Sequence, residues 1–154
     1  LQFMAAILLY VAHAPVAAQP NWTPPIEMVD PAPDGRRIGE DGLVGNWYPA
    51  PTKTAPAILL LGGSEGGLAM GNSQAARALQ SAGFAVLQLA YFRAPGQSPS
   101  LELVQLELFD QAIAWMARQP GVDRRRIGVV GTSKGAEAAL LVASRNSAVR
   151  AVVA

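Results

Sequence analysis

The amino-acid sequence predicts an α/β fold in which a mainly parallel sheet is covered by helices on both faces. Short apolar runs recur without polar alternation, which is typical of strands that are buried on both sides. Stretches with the apolar spacing of helices separate these runs. Strands that alternate with helices along a chain form parallel sheets, so the two observations together indicate this class of fold.

The first predicted elements form a β-hairpin. A short strand is expected from Arg36, and Asp41-Gly42 is a typical tight-turn signal. Residues Leu43 to Tyr48 then form the return strand.

Four further strands and three helices follow. The apolar runs predict strands over residues 57–61, 84–89, 127–130 and from 149 to 153. A first helix is expected to be capped by Asn72 and stopped by Gly83, and a second to run from Ser100 to about Gln119. The third helix is expected over residues 134–145.

The composition excludes several classes of function. The net charge is +1, from 12 basic and 11 acidic side chains, so there is no electrostatic reason to expect a nucleic-acid partner. The chain has no cysteine and a single histidine, His13, which excludes disulfides, thiolate metal sites and multi-histidine metal sites. No cofactor or metal is therefore expected.

The N-terminal segment resembles a secretory signal. Residues 1–11 are apolar but too few to span a bilayer, and small residues around Ala14 and Ala18 fit a signal-peptidase site. We expect residues 1–18 to be a signal peptide whose first residues are missing, residues 19–35 a proline-rich linker, and residues 36–154 the N-terminal portion of the folded domain. This predicts a secreted or periplasmic protein, and a cytoplasmic one if the segment is not a signal.

The strongest chemical motif is Gly131-Thr132-Ser133-Lys134-Gly135. It matches the G-x-S-x-G nucleophile elbow of α/β-hydrolases, and it lies between a predicted strand and a predicted helix, as that motif requires. Ser133 is the candidate nucleophile. The backbone N–H of Lys134 is then one expected donor to the oxyanion, and Gly131 and Gly135 permit the close packing of the turn.

A second motif supplies the rest of the expected oxyanion hole. The glycine-rich stretch after the first parallel strand contains Gly62, Gly63, Gly66 and Gly67. Hydrolase folds take their other oxyanion donor from a backbone N–H in such a loop, here Ser64 or Glu65. The stretch lacks the Lys-Ser/Thr pair of a phosphate-binding loop and the G-x-G-x-x-G spacing of a dinucleotide fold.

Two aromatic residues follow the next strand. Tyr91 and Phe92 are placed by the predicted topology at the same sheet edge as the two glycine motifs. They either line a pocket for an acyl chain or pack at the rim of the core.

These motifs together resemble the C-terminal domain family of acyl-CoA thioesterases and bile acid-CoA:amino acid N-acyltransferases. The resemblance rests on LLLGGSEGG, GFAVLQLAYF and VDRRRIGVVGTSKGAEAAL, and extends from about Gly42 to Ala154. It implies an α/β-hydrolase domain with a nucleophile at Ser133 and with an aspartate and a histidine in later strand-end loops. We therefore expect the sequence to end before the rest of its catalytic residues.

Three functions are compatible with these observations. The first is a serine hydrolase that cleaves a small-molecule acyl thioester or ester through an acyl-enzyme on Ser133. The second is an acyltransferase, in which an amine or alcohol replaces water. The third is a truncated, non-catalytic fragment, because His13 leaves with the signal and Ser133 then has no general base. The sequence indicates neither the acyl chain nor the oligomeric state.

Overall fold

The computed structural model describes residues 28–31 and 33–154, and this part of the chain forms six strands and three helices. The strands are β1 (Arg36–Glu40), β2 (Leu43–Tyr48), β3 (Ala55–Leu61), β4 (Ala85–Ala90), β5 (Val122–Gly131) and β6 (Val149–Val153). The helices are α1 (Met70–Ser81), α2 (Glu107–Ala117) and α3 (Lys134–Arg145).

The six strands form one sheet with the order β1-β2-β4-β3-β5-β6. The pairs β4–β3, β3–β5 and β5–β6 are parallel, whereas β1–β2 and β2–β4 are antiparallel. The prediction of a mainly parallel sheet is thus confirmed. The predicted hairpin around Asp41-Gly42 is confirmed as well, and both of its turn residues have positive φ.

Helices cover both faces of the sheet, as predicted. On one face Leu59, Leu61 and Leu87 belong to a core cluster that contains the buried residues of α2 and α3. On the other face Leu60 and Val86 pack with Ala76 of α1. Neighbouring strand residues point to opposite faces, so one apolar run supplies both cores.

Helix α1 begins three residues before the predicted position. Asn72 was predicted as its cap, but the helix starts at Met70 after an extended Ala69, with no side-chain cap. The turn from Gly66 to Ala69 already leads into the helix, because Ala69 N–H donates to the Gly66 carbonyl at 3.3 Å. The Asn72 side chain therefore lies in the first turn, where it contacts the loop described below.

Helix α2 is shorter than predicted. The prediction that Ser100 caps it is wrong, because the helix begins only at Glu107. Leu103 has φ +56°, which breaks any helix over this stretch, and Ser98 Oγ donates to the Ser100 carbonyl at 2.9 Å. Residues 98–106 form an irregular loop instead, and part of it lines the cavities beside the candidate site.

The predicted signal segment lies outside the described residues. The predicted linker is described only in part, and there Val29 contacts the fold, since its N–H donates to the Leu68 carbonyl at 2.9 Å. Among residues 28–31 and 33–154, no helix is long and apolar enough to cross a membrane.

Candidate active site

The candidate nucleophile lies on a sharp turn between β5 and α3. Ser133 has φ +54° and ψ −121°, a conformation that residues other than glycine rarely adopt. Holding a serine there costs on the order of 1–3 kcal/mol, and such strain is typical of active sites. The turn is anchored to the neighbouring strand, because the Thr132 N–H donates to the Leu61 carbonyl at 3.1 Å. The result is an exposed serine at the carboxyl edge of the sheet.

The glycines of the elbow are required by close backbone contacts. A Cβ atom on Gly131 would collide with the backbone of Gly135. A Cβ atom on Gly135 would collide with the carbonyl oxygens of Leu61 and Gly62. Helix α3 can therefore begin directly against the end of β3 only if both residues lack a side chain.

The glycine-rich loop after β3 lies beside Ser133. A Cβ atom placed on Gly63 would be 3.1 Å from the Cβ atom of Ser133. Gly67 passes so close to β4 that a side chain there would collide with the Leu89 carbonyl, and Gly66 has φ +94°. The two motifs that the sequence singled out separately thus meet at one place.

Three backbone N–H groups at this place are available to an anion. Ser64 and Glu65 are the central residues of a turn that the Gly66 N–H closes by donating to the Gly63 carbonyl at 3.2 Å. Lys134 is the first residue of α3, so its N–H has no acceptor within the helix. Within residues 33–154 none of these three N–H groups donates to another residue. The oxyanion hole stays a prediction, and the arrangement is compatible with it.

Charged and polar side chains surround the turn. Lys134 Nζ lies 2.8 Å from Glu137 Oε1, and the two residues form an exposed ion pair one helical turn apart. Buried Tyr91 donates its hydroxyl to the Gly62 carbonyl at 2.6 Å. Burial, then the negative charges of Glu65 and Glu137, raise the pKa of Tyr91 to about 12, so it remains a neutral donor at physiological pH.

Two cavities open beside these residues. One, of about 340 Å³, is mostly apolar and runs from Lys134 along α3; among the residues that line it are Tyr91, Leu101, Leu106, Phe109, Ala138 and Leu141. The other, of about 310 Å³, shares Tyr91 with the first and is lined by three glutamines, Gln97, Gln105 and Gln111. Tyr91, Leu103 and Val104 line both cavities.

Phe92 occupies a different position from Tyr91. It is buried in the core, where its ring packs 5.3 Å from that of Tyr91, and it is not among the residues that line either cavity. The predicted aromatic pair is therefore divided between cavity wall and core.

Three side chains that hold the glycine-rich loop are not predicted by the sequence. Glu65 accepts hydrogen bonds through its carboxylate, Asn72 donates to that carboxylate, and Arg93 Nη2 donates to the Ser64 carbonyl at 2.9 Å. The one available signal was the charge of Glu65, which is unusual in a run of glycines. Nothing in the local sequence indicates that Asn72 or Arg93 faces this loop.

No histidine that could act as the general base for Ser133 is among the described residues. The only histidine of the sequence, His13, lies outside them. Within the described ranges there is also no group of three or more histidine, cysteine, aspartate or glutamate residues that could hold a metal ion.

Comparisons with known proteins agree with these features. Residues 104–154 match the model of the family described as "BAAT / Acyl-CoA thioester hydrolase C terminal". Mouse acyl-coenzyme A thioesterase 6 is 44% identical over 89 residues, which are 58% of this chain and 20% of the relative. Mouse acyl-coenzyme A amino acid N-acyltransferase 1 is 38% identical over 116 residues, which are 75% of this chain and 27% of the relative. The alignments thus span about a quarter of these relatives.

Solved structures show the same fold. An esterase from Pyrococcus furiosus superimposes with a TM-score of 0.67 at 18% identity, over 84% of this chain and 53% of the esterase. A dienelactone hydrolase from Anabaena variabilis gives a TM-score of 0.61 at 24% identity, over 77% of this chain and 61% of that enzyme. The resemblance seen in the sequence is confirmed: the chain is similar to the C-terminal domains of BAAT and the acyl-CoA thioester hydrolases, and it has part of an α/β-hydrolase fold.

Proposed function

We propose that this protein is a serine hydrolase that cleaves acyl thioesters or carboxylic esters, with Ser133 as its nucleophile. The observation that carries the proposal is the strained conformation of Ser133, at φ +54°, beside a loop with free backbone N–H groups. A fold maintains such strain in a surface serine only where the rest of the structure supports it, and functional sites are where this occurs.

The chemistry would proceed in two steps. Ser133 Oγ loses its proton to a base and attacks the acyl carbon, and the oxyanion is held by the N–H of Lys134 and that of Ser64 or Glu65. Collapse of this intermediate releases the protonated thiol or alcohol and leaves an acyl-serine ester. Water then attacks the ester, and the acid leaves as Ser133 regains its proton. The base is the histidine that the resemblance implies, oriented by an aspartate.

The apolar cavity suggests the acyl side of the substrate. It starts at Lys134, adjacent to the nucleophile, and follows the exposed side chain of Leu141 along α3. An aliphatic acyl chain in this space would have its carbonyl near Ser133. The thioester class follows from the relatives, several of which are named acyl-coenzyme A thioesterases.

We also propose that the protein is exported, as the apolar residues 1–11 suggest. Acyl-CoA is a cytosolic metabolite, so an exported enzyme would use another thioester or ester. The acyl-enzyme chemistry would be the same for either leaving group.

Acyl transfer is the second candidate. The similarity to a mouse N-acyltransferase favours it. The cavity next to Tyr91 that contains three glutamines offers space and hydrogen-bonding groups for a polar amine substrate. In that reaction an amine, in place of water, attacks the acyl-serine.

The test compares two serine variants of the protein translated from its complete reading frame. Ser133→Ala should lower the turnover of an acyl thioester by about 10³-fold or more, because alanine has no hydroxyl group to form the acyl-enzyme. Ser144→Ala is the matched control, because Ser144 is exposed at the other end of α3 and should be dispensable. Equal turnover by the two variants would refute the proposal.

A second experiment distinguishes hydrolysis from acyl transfer. Free amino acids are added to the reaction of the wild-type protein with an acyl thioester, and the products are analysed. An acyltransferase forms an N-acyl amino acid, whereas a hydrolase forms only the free acid.

A further inference from the structure

Glu65 connects the glycine-rich loop to helix α1 through one carboxylate oxygen. Its Oε1 atom accepts a hydrogen bond from the Gly63 N–H at 2.8 Å and another from Asn72 Nδ2, also at 2.8 Å. Hydrogen bonds to an ionised acceptor are roughly twice as strong as neutral ones. A side chain that would otherwise point into solvent therefore bends back onto its own loop.

The peptide group between Gly62 and Gly63 is held at both of its polar atoms. Tyr91 donates to the Gly62 carbonyl at 2.6 Å, while Glu65 accepts from the Gly63 N–H. This peptide cannot rotate without breaking two hydrogen bonds. The bond to Glu65 also removes the Gly63 N–H from the set of donors that an oxyanion could use.

The next part of the loop is held by Arg93. Its guanidinium donates to the Ser64 carbonyl at 2.9 Å. In a trans peptide the C=O and the following N–H point in opposite directions, so this bond also sets the direction of the Glu65 N–H. The loop is thus oriented by side chains rather than by strand pairing.

The Glu65 carboxylate and Ser133 border the same small space. A Cβ atom on Gly63 would lie 2.6 Å from Glu65 Oε2 and 3.1 Å from the Cβ atom of Ser133. The hydrogen bonds of Glu65 therefore act on the peptide group that lies next to the nucleophile. A displacement of this loop would change the position of the oxyanion relative to its donors.

We propose that Glu65 is a positioning residue: its side chain, supported by Asn72, fixes the Gly63 peptide so that the N–H groups of Ser64 and Glu65 stay free and correctly placed beside Ser133. This inference rests on the proposed function. It assigns to the Glu65 side chain a role separate from that of its backbone N–H.

The chemistry of the carboxylate suggests a discriminating pair of variants. Both hydrogen bonds end on Oε1, so the amide oxygen of glutamine can accept them in Glu65→Gln. Glu65→Ala removes the acceptor. Glu102→Ala, in an exposed loop residue, is the control for loss of one negative charge.

The first measurement is steady-state turnover by the full-length protein. We expect Glu65→Ala to lower kcat about 10- to 100-fold with KM changed by less than about 3-fold, because misplaced donors affect the transition state more than substrate binding. Glu65→Gln should stay within about 3-fold of wild type. Asn72→Ala, which leaves the bond to Gly63, should lower kcat by about 3- to 10-fold and serves if Glu65→Ala does not fold.

The second measurement is amide hydrogen exchange at Gly63, which does not depend on turnover. Exchange should accelerate in Glu65→Ala and stay slow in Glu65→Gln. Unchanged exchange in Glu65→Ala, a kcat close to wild type, or an equal loss of kcat in the glutamine variant would each overturn the proposal. If wild type instead lacks any Ser133-dependent turnover, the proposed function fails, and the exchange result still decides whether Glu65 holds the loop.

Discussion

At the scale of single residues, the site depends on conformations that only certain residues tolerate. Ser133 occupies a region of backbone conformation that is accessible mainly to glycine, and it does so one residue before a helix. Gly131 and Gly135 permit this because neither has a side chain to separate β5, α3 and the end of β3. The serine is thus maintained at a cost in stability by its neighbours.

This strain predicts the outcome of replacing Ser133 by glycine. Ser133→Gly should raise the free energy of unfolding by about 1 kcal/mol, because glycine adopts this conformation without strain but loses more entropy on folding. Ser133→Ala keeps the Cβ atom and should stay within about 0.5 kcal/mol of wild type. Urea unfolding of the three proteins measures the difference, and a glycine variant no more stable than the alanine variant would contradict the argument.

At the scale of elements, a buried polar network connects β4 to its neighbours. Gln88, fully buried in β4, donates to the Gly67 carbonyl at 2.9 Å and contacts Ser73 of α1 at 3.2 Å. Its Oε1 atom also accepts from Asn46 of β2 at 3.3 Å. The glycine-rich loop after β3, which carries the proposed oxyanion donors, is thereby attached to the centre of the sheet.

Removing the hydrogen bonds of Gln88 should lower the stability of the protein. Gln88→Leu keeps a similar volume but leaves buried polar groups unpaired, so we expect a loss of about 1–3 kcal/mol in the free energy of unfolding. Gln80→Leu is the matched control, since Gln80 also donates to a backbone carbonyl, that of Pro49 at 2.9 Å, but near solvent. Its effect should lie within about 0.5 kcal/mol. If both variants lost a similar free energy of unfolding, the burial of the Gln88 hydrogen bonds would not explain the effect.

At the scale of the whole molecule, the described fold brings together the candidate nucleophile Ser133, free backbone N–H groups and an apolar cavity, but no histidine. The sequence contains one histidine, His13, in the segment that we interpret as a signal. Activation of a serine requires a base, and the histidine that the resemblance implies for this role is not among the described residues. The proposed catalysis therefore requires a histidine in addition to the described residues.

This yields a prediction for the 154-residue polypeptide on its own. It should not turn over a p-nitrophenyl ester above the uncatalysed rate, because Ser133 stays protonated without a base. The matched comparison is the same polypeptide with Ser133→Ala, which should give the same rate. Turnover by the first polypeptide and not by the second would overturn the prediction and place a base among these residues.

The sequence by itself determined the class of the fold and the two motifs of the site. Strands, the hairpin and α3 are visible as apolar runs, a turn signal and a glycine-flanked serine, because each depends on preferences within a few consecutive residues. The predicted start of α2 was wrong, because nothing in the neighbouring sequence indicates that Leu103 adopts a left-handed conformation. Only the tertiary structure decided that Glu65 bonds Gly63 and Asn72 beside Ser133. The physical reason is that β3 pairs with β5, which brings two distant strand ends together at one edge of the sheet.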